Sequence, residues 1–212
     1  MPNINFEAVE KYVREKSQDE NFSDLKNYAK ENHVPIITDE VANFLRTLIR
    51  YQKPLKILEI GTAIGYSALV MEKAFAGVEK ILTLEKNEEI AKIAKANLQK
   101  YNATEKIEIL PGDALEILPK IEEKFDFIFI DAQKSAYQKY FEEAIRLSKK
   151  GSIIVCDNVL FKGMVADEEL ADKKHKTIVK NLRKFIDFVM EREESNSSLI
   201  PLGDGILLIM RD

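Results

Sequence analysis

"LKILEIGTAIGYS", residues 55–67, runs from an apolar segment through two glycines toward a helix. Its first six residues hold one cation and one acid, Lys56 and Glu59, among Leu55, Ile57, Leu58 and Ile60. A strand that is apolar on both faces belongs inside a parallel sheet rather than at a half-solvated surface. Gly61 and Gly65 then bracket the turn where the apolar period changes from strand to helix. The same order recurs downstream in "KILTLE" (80–85), "IEIL" (107–110), "FDFIFID" (125–131) and "SIIVCD" (152–157). Helical spacing predicts helices between them at about 66–76, 87–101, 113–121 and 136–149.

Strands alternating with helices imply a sheet covered on both faces. A long helix is predicted over about 168–194. After it, "SLIPLGDGILLIMRD" places two strand-like runs around Gly203-Asp204-Gly205, which predicts a terminal antiparallel hairpin. Upstream, residues 3–50 read as three helices. Their stripes are Phe6, Val9, Tyr12 and Val13; Phe22, Leu25, Tyr28 and Ala29; and Val41, Phe44, Leu45 and Leu48. Pro35 breaks helix before the third, and Thr38 or Asp39 can cap it. The fold class is therefore α/β: a doubly wound, Rossmann-like sheet, mostly parallel with a C-terminal antiparallel hairpin, plus N-terminal helices. One domain is expected over 1–212, with 1–52 as a helical extension and 53–212 as the α/β core.

Composition excludes several classes. The chain is 45% hydrophobic and 32% charged, which is the balance of a globular protein. A single cysteine, Cys156, in an apolar strand excludes a disulfide framework and suits a reducing cytoplasm. The opening "MPNINFEAVEKYVREK" does not read as a signal peptide, and no run of about 18 apolar residues reads as a membrane span. A net charge of −4 argues against coating nucleic acid without specificity. His33 and His175 with one cysteine make a zinc site a poor reading.

In doubly wound sheets ligands bind outside the carboxyl ends of the strands, so those ends hold the candidates. The first strand ends at Glu59, Gly61, Gly65, Tyr66 and Ser67, where the glycines let backbone approach a ligand. Glu85, about 20 residues on, is placed to grip two ribose hydroxyls. Gly112, Asp113 and Ala114 end the third strand, where an adenine ring would lie. There Asp113 either accepts from an exocyclic amine or caps the next helix. Asp131, Asp157 and Asn158 end neighbouring strands, and two carboxylates with an amide oxygen suit a hard divalent cation such as Mg²⁺ or Mn²⁺. Taken alone, Asp157 and Asn158 read equally well as turn residues. A lysine beside such a cation gives up its proton more readily, which suits Lys134 to act as a base on an acidic hydroxyl.

Together "ILEIGTAIGYSAL", "LTLEKN", "GDALE", "FIFIDAQKSAYQKYF" and "DNVLFKG" resemble the cation-dependent, S-adenosylmethionine-using O-methyltransferases of the catechol and caffeoyl-CoA type. The resemblance runs from His33 to Met210. Within that family, "HVPI", "DNVLFKGMVA" and the closing "IPLGDG" are similar to the bacterial branch that methylates 5-hydroxyuridine at the tRNA wobble position. By position the resemblance implies that Glu59, Gly61, Tyr66, Ser67, Glu85, Asp113 and Ala114 hold S-adenosylmethionine. It further implies that Asp131, Asp157 and Asn158 hold the metal, with Asp131 also near the methionine amine, and that Lys134 assists deprotonation. It implies a homodimer as well. The chain departs from the catechol enzymes near its end: the glutamate that meets the second catechol hydroxyl is replaced in "SNSSLIPLGDG" by Ser or Leu.

Residues 173–184, "KKHKTIVKNLRK", supply Lys173, Lys174, Lys176, Lys180 and Arg183 as candidate contacts to an anticodon stem-loop. The stripe Ile178, Leu182, Phe185 and Val189 offers a plainer reading, the solvated face of an amphipathic helix. Flanking acids, Asp167 to Asp172 and Glu191 to Glu194, dilute the field. The alternative substrates are free catechols or other vicinal hydroxy-aromatics. A nicotinamide-dependent dehydrogenase and a non-catalytic cofactor-binding protein are the competing classes.

Overall fold

The computed structural model describes residues 6–193 and 195–212, so the predicted helical positions 3–5 and Glu194 lie outside the described residues. The strands are β1 (Lys56–Ile60), β2 (Lys80–Glu85), β3 (Ile107–Pro111), β4 (Phe125–Ile130), β5 (Ser148–Cys156), β6 (Ser195–Ile200) and β7 (Ile206–Arg211). They form one sheet in the order β3-β2-β1-β4-β5-β7-β6. β1 through β5 pair in parallel, and β7 runs antiparallel to both β5 and β6. The helices are α1 (Phe6–Ser17), α2 (Ser23–Glu31), α3 (Asp39–Gln52), α4 (Tyr66–Ala74), α5 (Glu88–Lys100), α6 (Ala114–Ile117), α7 (Tyr137–Leu147) and α8 (Lys176–Met190).

Strand side chains alternate faces, so each strand feeds two cores. Ile57, Phe127, Phe129 and Val155 meet Leu25 of α2, Val41, Leu45 and Ile49 of α3, and Leu69 of α4 on one face. Leu58, Ile60, Ile128, Ile130 and Ile154 meet Phe141 of α7 and Leu182, Phe185 and Val189 of α8 on the other. Each fully buried side chain of this size contributes about 1.5–3 kcal/mol, against about 0–1 for an exposed ion pair. The two apolar faces therefore hold the sheet, and α2 and α3 share one of those cores with it.

Several boundaries differ from the sequence-based expectation, each for a local reason. β5 begins at Ser148, not at 152. Between the pairs Phe125–Ser148 and Phe127–Ile153 it bulges through Gly151, whose φ of 79° suits glycine. The helix expected over 168–194 is a 3-10 turn at Glu168–Leu170 followed by α8. The Asp172 carboxylate accepts the amides of Lys174 and His175, each at 3.0 Å, which starts a new helix there. α6 gives way at Pro119 to a 3-10 turn, Leu118–Lys120. The stripe on α1 lies largely in solvent, with Val9 and Tyr12 51% and 61% exposed. Among the described residues no helix is long and apolar enough to cross a membrane.

Candidate active site

Ile60 pairs with Leu84 and with Ile130, and Ile130 with Cys156. Gly61, Glu85, Asp131 and Asp157 are consequently the next residues on four adjacent strands. Hydrogen bonds carry the pairing one step past the strands: Gly61 N to Leu84 O at 3.0 Å, Asp131 N to Ile60 O at 2.9 Å and Asp157 N to Ile130 O at 2.9 Å. The row lies at the carboxyl ends, beside the switch in strand order between β1 and β4. Above it opens a cleft of about 1920 Å³. A single small-molecule site is typically about 300–1,000 Å³, so this cleft has room for two reactants.

One end of the cleft is built from backbone. Gly61 has φ +108°, and a Cβ there would stand 2.0 Å from the Asp131 carbonyl oxygen, so only glycine fits. The Glu85 carboxylate is aimed by two amides, Ala63 N at 2.9 Å and Asn87 N at 2.9 Å, and still has lone pairs for neighbouring hydroxyls. Tyr66 and Ser67 open α4 beside it and line the cleft. Ala114 also lines it, but Asp113 does not. Asp113 caps α6, accepting from Leu115 N at 2.9 Å, and pairs with Lys86 at 2.7 Å. That lysine holds its carboxyl below the usual range.

The other end gathers charge. Lys134, on a 3-10 turn just before α7, places its ammonium 2.9 Å from Asp131 Oδ1 and 2.9 Å from Asn158 Oδ1. It also donates to the Tyr137 hydroxyl at 2.7 Å and reaches the Asp157 carbonyl at 3.4 Å. Burial, with the charge of Asp131 added, pushes the Asp157 carboxyl up to about 7. Oxygens that converge on an ammonium, beside a buried carboxyl repelled by Asp131, fit a hard divalent cation. Among the described residues no three His, Cys, Asp or Glu side chains converge, so the Asn158 amide oxygen is needed to complete the set.

Comparison with known proteins identifies the family. The O-methyltransferase family model matches residues 14–212. The chain belongs to this O-methyltransferase family. It is 36% identical over 176 residues to a catechol O-methyltransferase of Niastella koreensis, covering 79% of this chain and 80% of that one. It is 30% identical over 223 residues to a caffeoyl-CoA O-methyltransferase of Eucalyptus gunnii, covering 97% and 88%. An O-methyltransferase from Bacillus cereus, solved in complex with SAH, superposes with a TM-score of 0.83 at 30% identity over 97% of each chain.

In this O-methyltransferase two residues join the site that sequence spacing did not assign to it. Tyr137 is almost wholly buried, and its hydroxyl donates to the Asp157 carbonyl at 2.7 Å while accepting from Lys134. Asp204, which the sequence presents as a turn residue, lines the cleft and accepts from Lys162 N at 2.5 Å. The signal for Asp204 is its place in the terminal hairpin next to β5, which only the sheet order reveals.

Glu59 lies one layer beneath the cleft and does not line it. It accepts from the Thr83 hydroxyl at 2.5 Å, which in turn meets the Thr62 hydroxyl at 2.6 Å, and the Ser67 hydroxyl lies against the same buried carboxyl. Burial pushes its carboxyl up to about 8 from an ordinary 4.5. The folded chain therefore keeps a proton that the unfolded chain releases above 4.5. Stability from the neutral carboxyl is full below that value and is lost as pH rises through about 8. Glu59→Gln keeps a neutral polar group at every pH. Melting curves should show a shallower loss of stability between about pH 5 and 8 in this variant than in the wild type. An equal slope in both would place the charged form of Glu59 in the folded protein.

Proposed function

We propose that this O-methyltransferase is S-adenosylmethionine-dependent and divalent-metal-dependent, and that it methylates the 5-hydroxyl of wobble 5-hydroxyuridine in tRNA to give 5-methoxyuridine. The observation that carries the reading is the cluster of Asp131 Oδ1, Asn158 Oδ1 and the Asp157 carbonyl around Lys134, with the Asp157 carboxylate lining the same cleft as Glu85 and the Gly61 turn. The family and the SAH complex of the B. cereus relative support the cofactor.

The residues divide the work. Glu85 would hold two ribose hydroxyls, the Gly61 turn would take the cofactor against bare backbone, and Tyr66, Ser67 and Ala114 would line its seat. Asp131, Asp157 and Asn158 would hold the cation. When bound, S-adenosylmethionine supplies an electrophilic methyl group and the cation supplies Lewis-acid stabilisation of the phenolate-like oxygen. With the cation bound, Lys134 would first release its own proton to solvent, and the neutral amine would then take the proton from the 5-hydroxyl. The floor of the cleft would align that oxygen for in-line attack, and orientation of this kind is worth up to about 7–11 kcal/mol.

Support for an RNA substrate comes from exposed lysines, one of them lining the cleft. Lys162 lies there exposed, and the segment containing Ala166 continues toward α8. Lys173, Lys174, Lys176 and Lys180 are exposed, while Val179, Leu182, Phe185, Ile186 and Val189 form the buried face. Arg183 serves the fold instead, donating to the Val165 carbonyl at 2.7 Å and fastening α8 to the cleft mouth. The phosphate contacts are therefore assigned to the four lysines.

The relatives named as catechol and caffeoyl-CoA O-methyltransferases favour a second reading, in which the same site acts on a small hydroxy-aromatic. Charge reversal separates the two. Changing Lys173, Lys174 and Lys176 to Glu should reduce methylation of 5-hydroxyuridine-containing tRNA by about tenfold or more at low salt, and leave any methylation of a catechol unchanged. Intact tRNA methylation in that variant would sink the docking surface.

A further inference from the structure

The loop that leaves β5 is bent into a conformation that side chains resist. Asn158, Phe161 and Lys162 have φ of 54°, 47° and 57°, and Gly163 follows at 78°. Asn158 tolerates the left-handed region, but it costs a residue such as Phe161 or Lys162 roughly 1–2 kcal/mol, so this pair persists only where its surroundings over-determine it. The turn between β6 and β7 does so. Val159 N donates to Gly205 O at 3.0 Å and Leu160 N to Asp204 O at 2.9 Å. Lys162 N donates to Asp204 Oδ1 at 2.5 Å, and the Gly163 amide faces the same carboxylate. Gly205 leaves no room for a side chain, since a Cβ there would stand 2.3 Å from Leu160 Cγ. Loop and turn are thus joined backbone to backbone, with one side chain between them.

We infer that Asp204 is a positioning residue. By accepting the Lys162 amide at its carboxylate and the Leu160 amide at its carbonyl, it fixes the left-handed 158–163 turn and so aims the Asn158 amide oxygen into the Asp131–Lys134 cluster. The consequence for cation binding rests on the function proposed above; the positioning itself does not.

Two conservative departures separate geometry from charge. Asp204→Asn keeps the acceptor oxygen in place and removes the charge, whereas Asp204→Glu keeps the charge and moves the oxygen by a methylene. Three readouts on the full chain are compared with the wild type: amide hydrogen exchange at Leu160 and Lys162, Mn²⁺ affinity by electron paramagnetic resonance, and SAH affinity by calorimetry. In Asp204→Glu, exchange at Lys162 should quicken by about tenfold or more. Mn²⁺ affinity should fall by about 10–100-fold, the usual loss when a residue supporting a metal ligand is changed. SAH affinity should stay within about twofold, because Gly61 and Glu85 lie on other strands. Asp204→Asn should resemble the wild type in exchange and lose little Mn²⁺ affinity. The inference is overturned if Asn is as damaging as Glu, if neither changes exchange at Lys162, or if SAH affinity falls in step with Mn²⁺ affinity. Wild-type protein that binds no Mn²⁺ would remove the metal reading alone, and amide exchange would still decide the role of Asp204.

Discussion

Lys134→Met should lower the rate of methyl transfer by about 10²–10⁴-fold, the range for loss of a positioned base. The lysine is held from several sides: Asp131 Oδ1, Asn158 Oδ1 and the Tyr137 hydroxyl all lie within 2.9 Å of its nitrogen. Methionine keeps the length of the side chain and removes both the charge and the basic nitrogen. Lys134→Arg supplies the discrimination, because a guanidinium keeps the charge but does not give up its proton. Both variants should therefore be slow in single-turnover assays with saturating S-adenosylmethionine, with SAH affinity near that of the wild type. An arginine variant within about tenfold of the wild type would make Lys134 an electrostatic partner of the acids and leave proton removal to another group.

Gly61→Ala should produce the largest loss of cofactor binding. The new Cβ would stand 2.0 Å from a backbone oxygen of Asp131, and no side-chain rotation relieves that contact. The residue also sits at φ +108°, outside the regions open to an L side chain. Strain and overpacking together cost about 2–6 kcal/mol. Relief requires the β1–α4 turn to move away from β4, which separates Glu85 from Asp131 across the cleft. SAH affinity should drop by about 100-fold or more, with a clear fall in melting temperature. Gly65→Ala is the control: its nearest contact is Leu98 Cδ2 at 3.5 Å, so only the left-handed conformation is penalised, by roughly 1–2 kcal/mol. Equal damage from both substitutions would mean that the close approach at Gly61 is not what the cofactor requires.

The parts of this site that sequence spacing reveals are those fixed by strand ends. An apolar run that stops at Asp131 or at Asp157-Asn158 marks where a buried strand reaches solvent, and parallel pairing then sets those ends side by side. Glu85 and Gly61 are legible for the same reason. Asp113 is legible only as two alternatives, and the Leu115 amide and Lys86 show that it caps α6. What spacing cannot reveal depends on long-range contact. Asp204 reads as an ordinary turn residue until β7 is seen to lie against β5. Tyr137 reads as one aromatic on an amphipathic helix, because helical period says nothing of where a hydroxyl at the buried end will find its partners. The split of the expected 168–194 helix turns on the Asp172 carboxylate, which holds a turn over 173–175 ahead of α8, and whether it does so depends on the chain before it.

The most direct test follows labelled methyl transfer from S-adenosylmethionine by purified wild-type protein to tRNA bearing 5-hydroxyuridine, with Mg²⁺ and again with EDTA, alongside a simple catechol under both conditions. Label entering the tRNA with Mg²⁺ and disappearing with EDTA is the expected result. Transfer that proceeds equally well in EDTA would contradict a cation held by Asp131, Asp157 and Asn158 at the centre of the reaction.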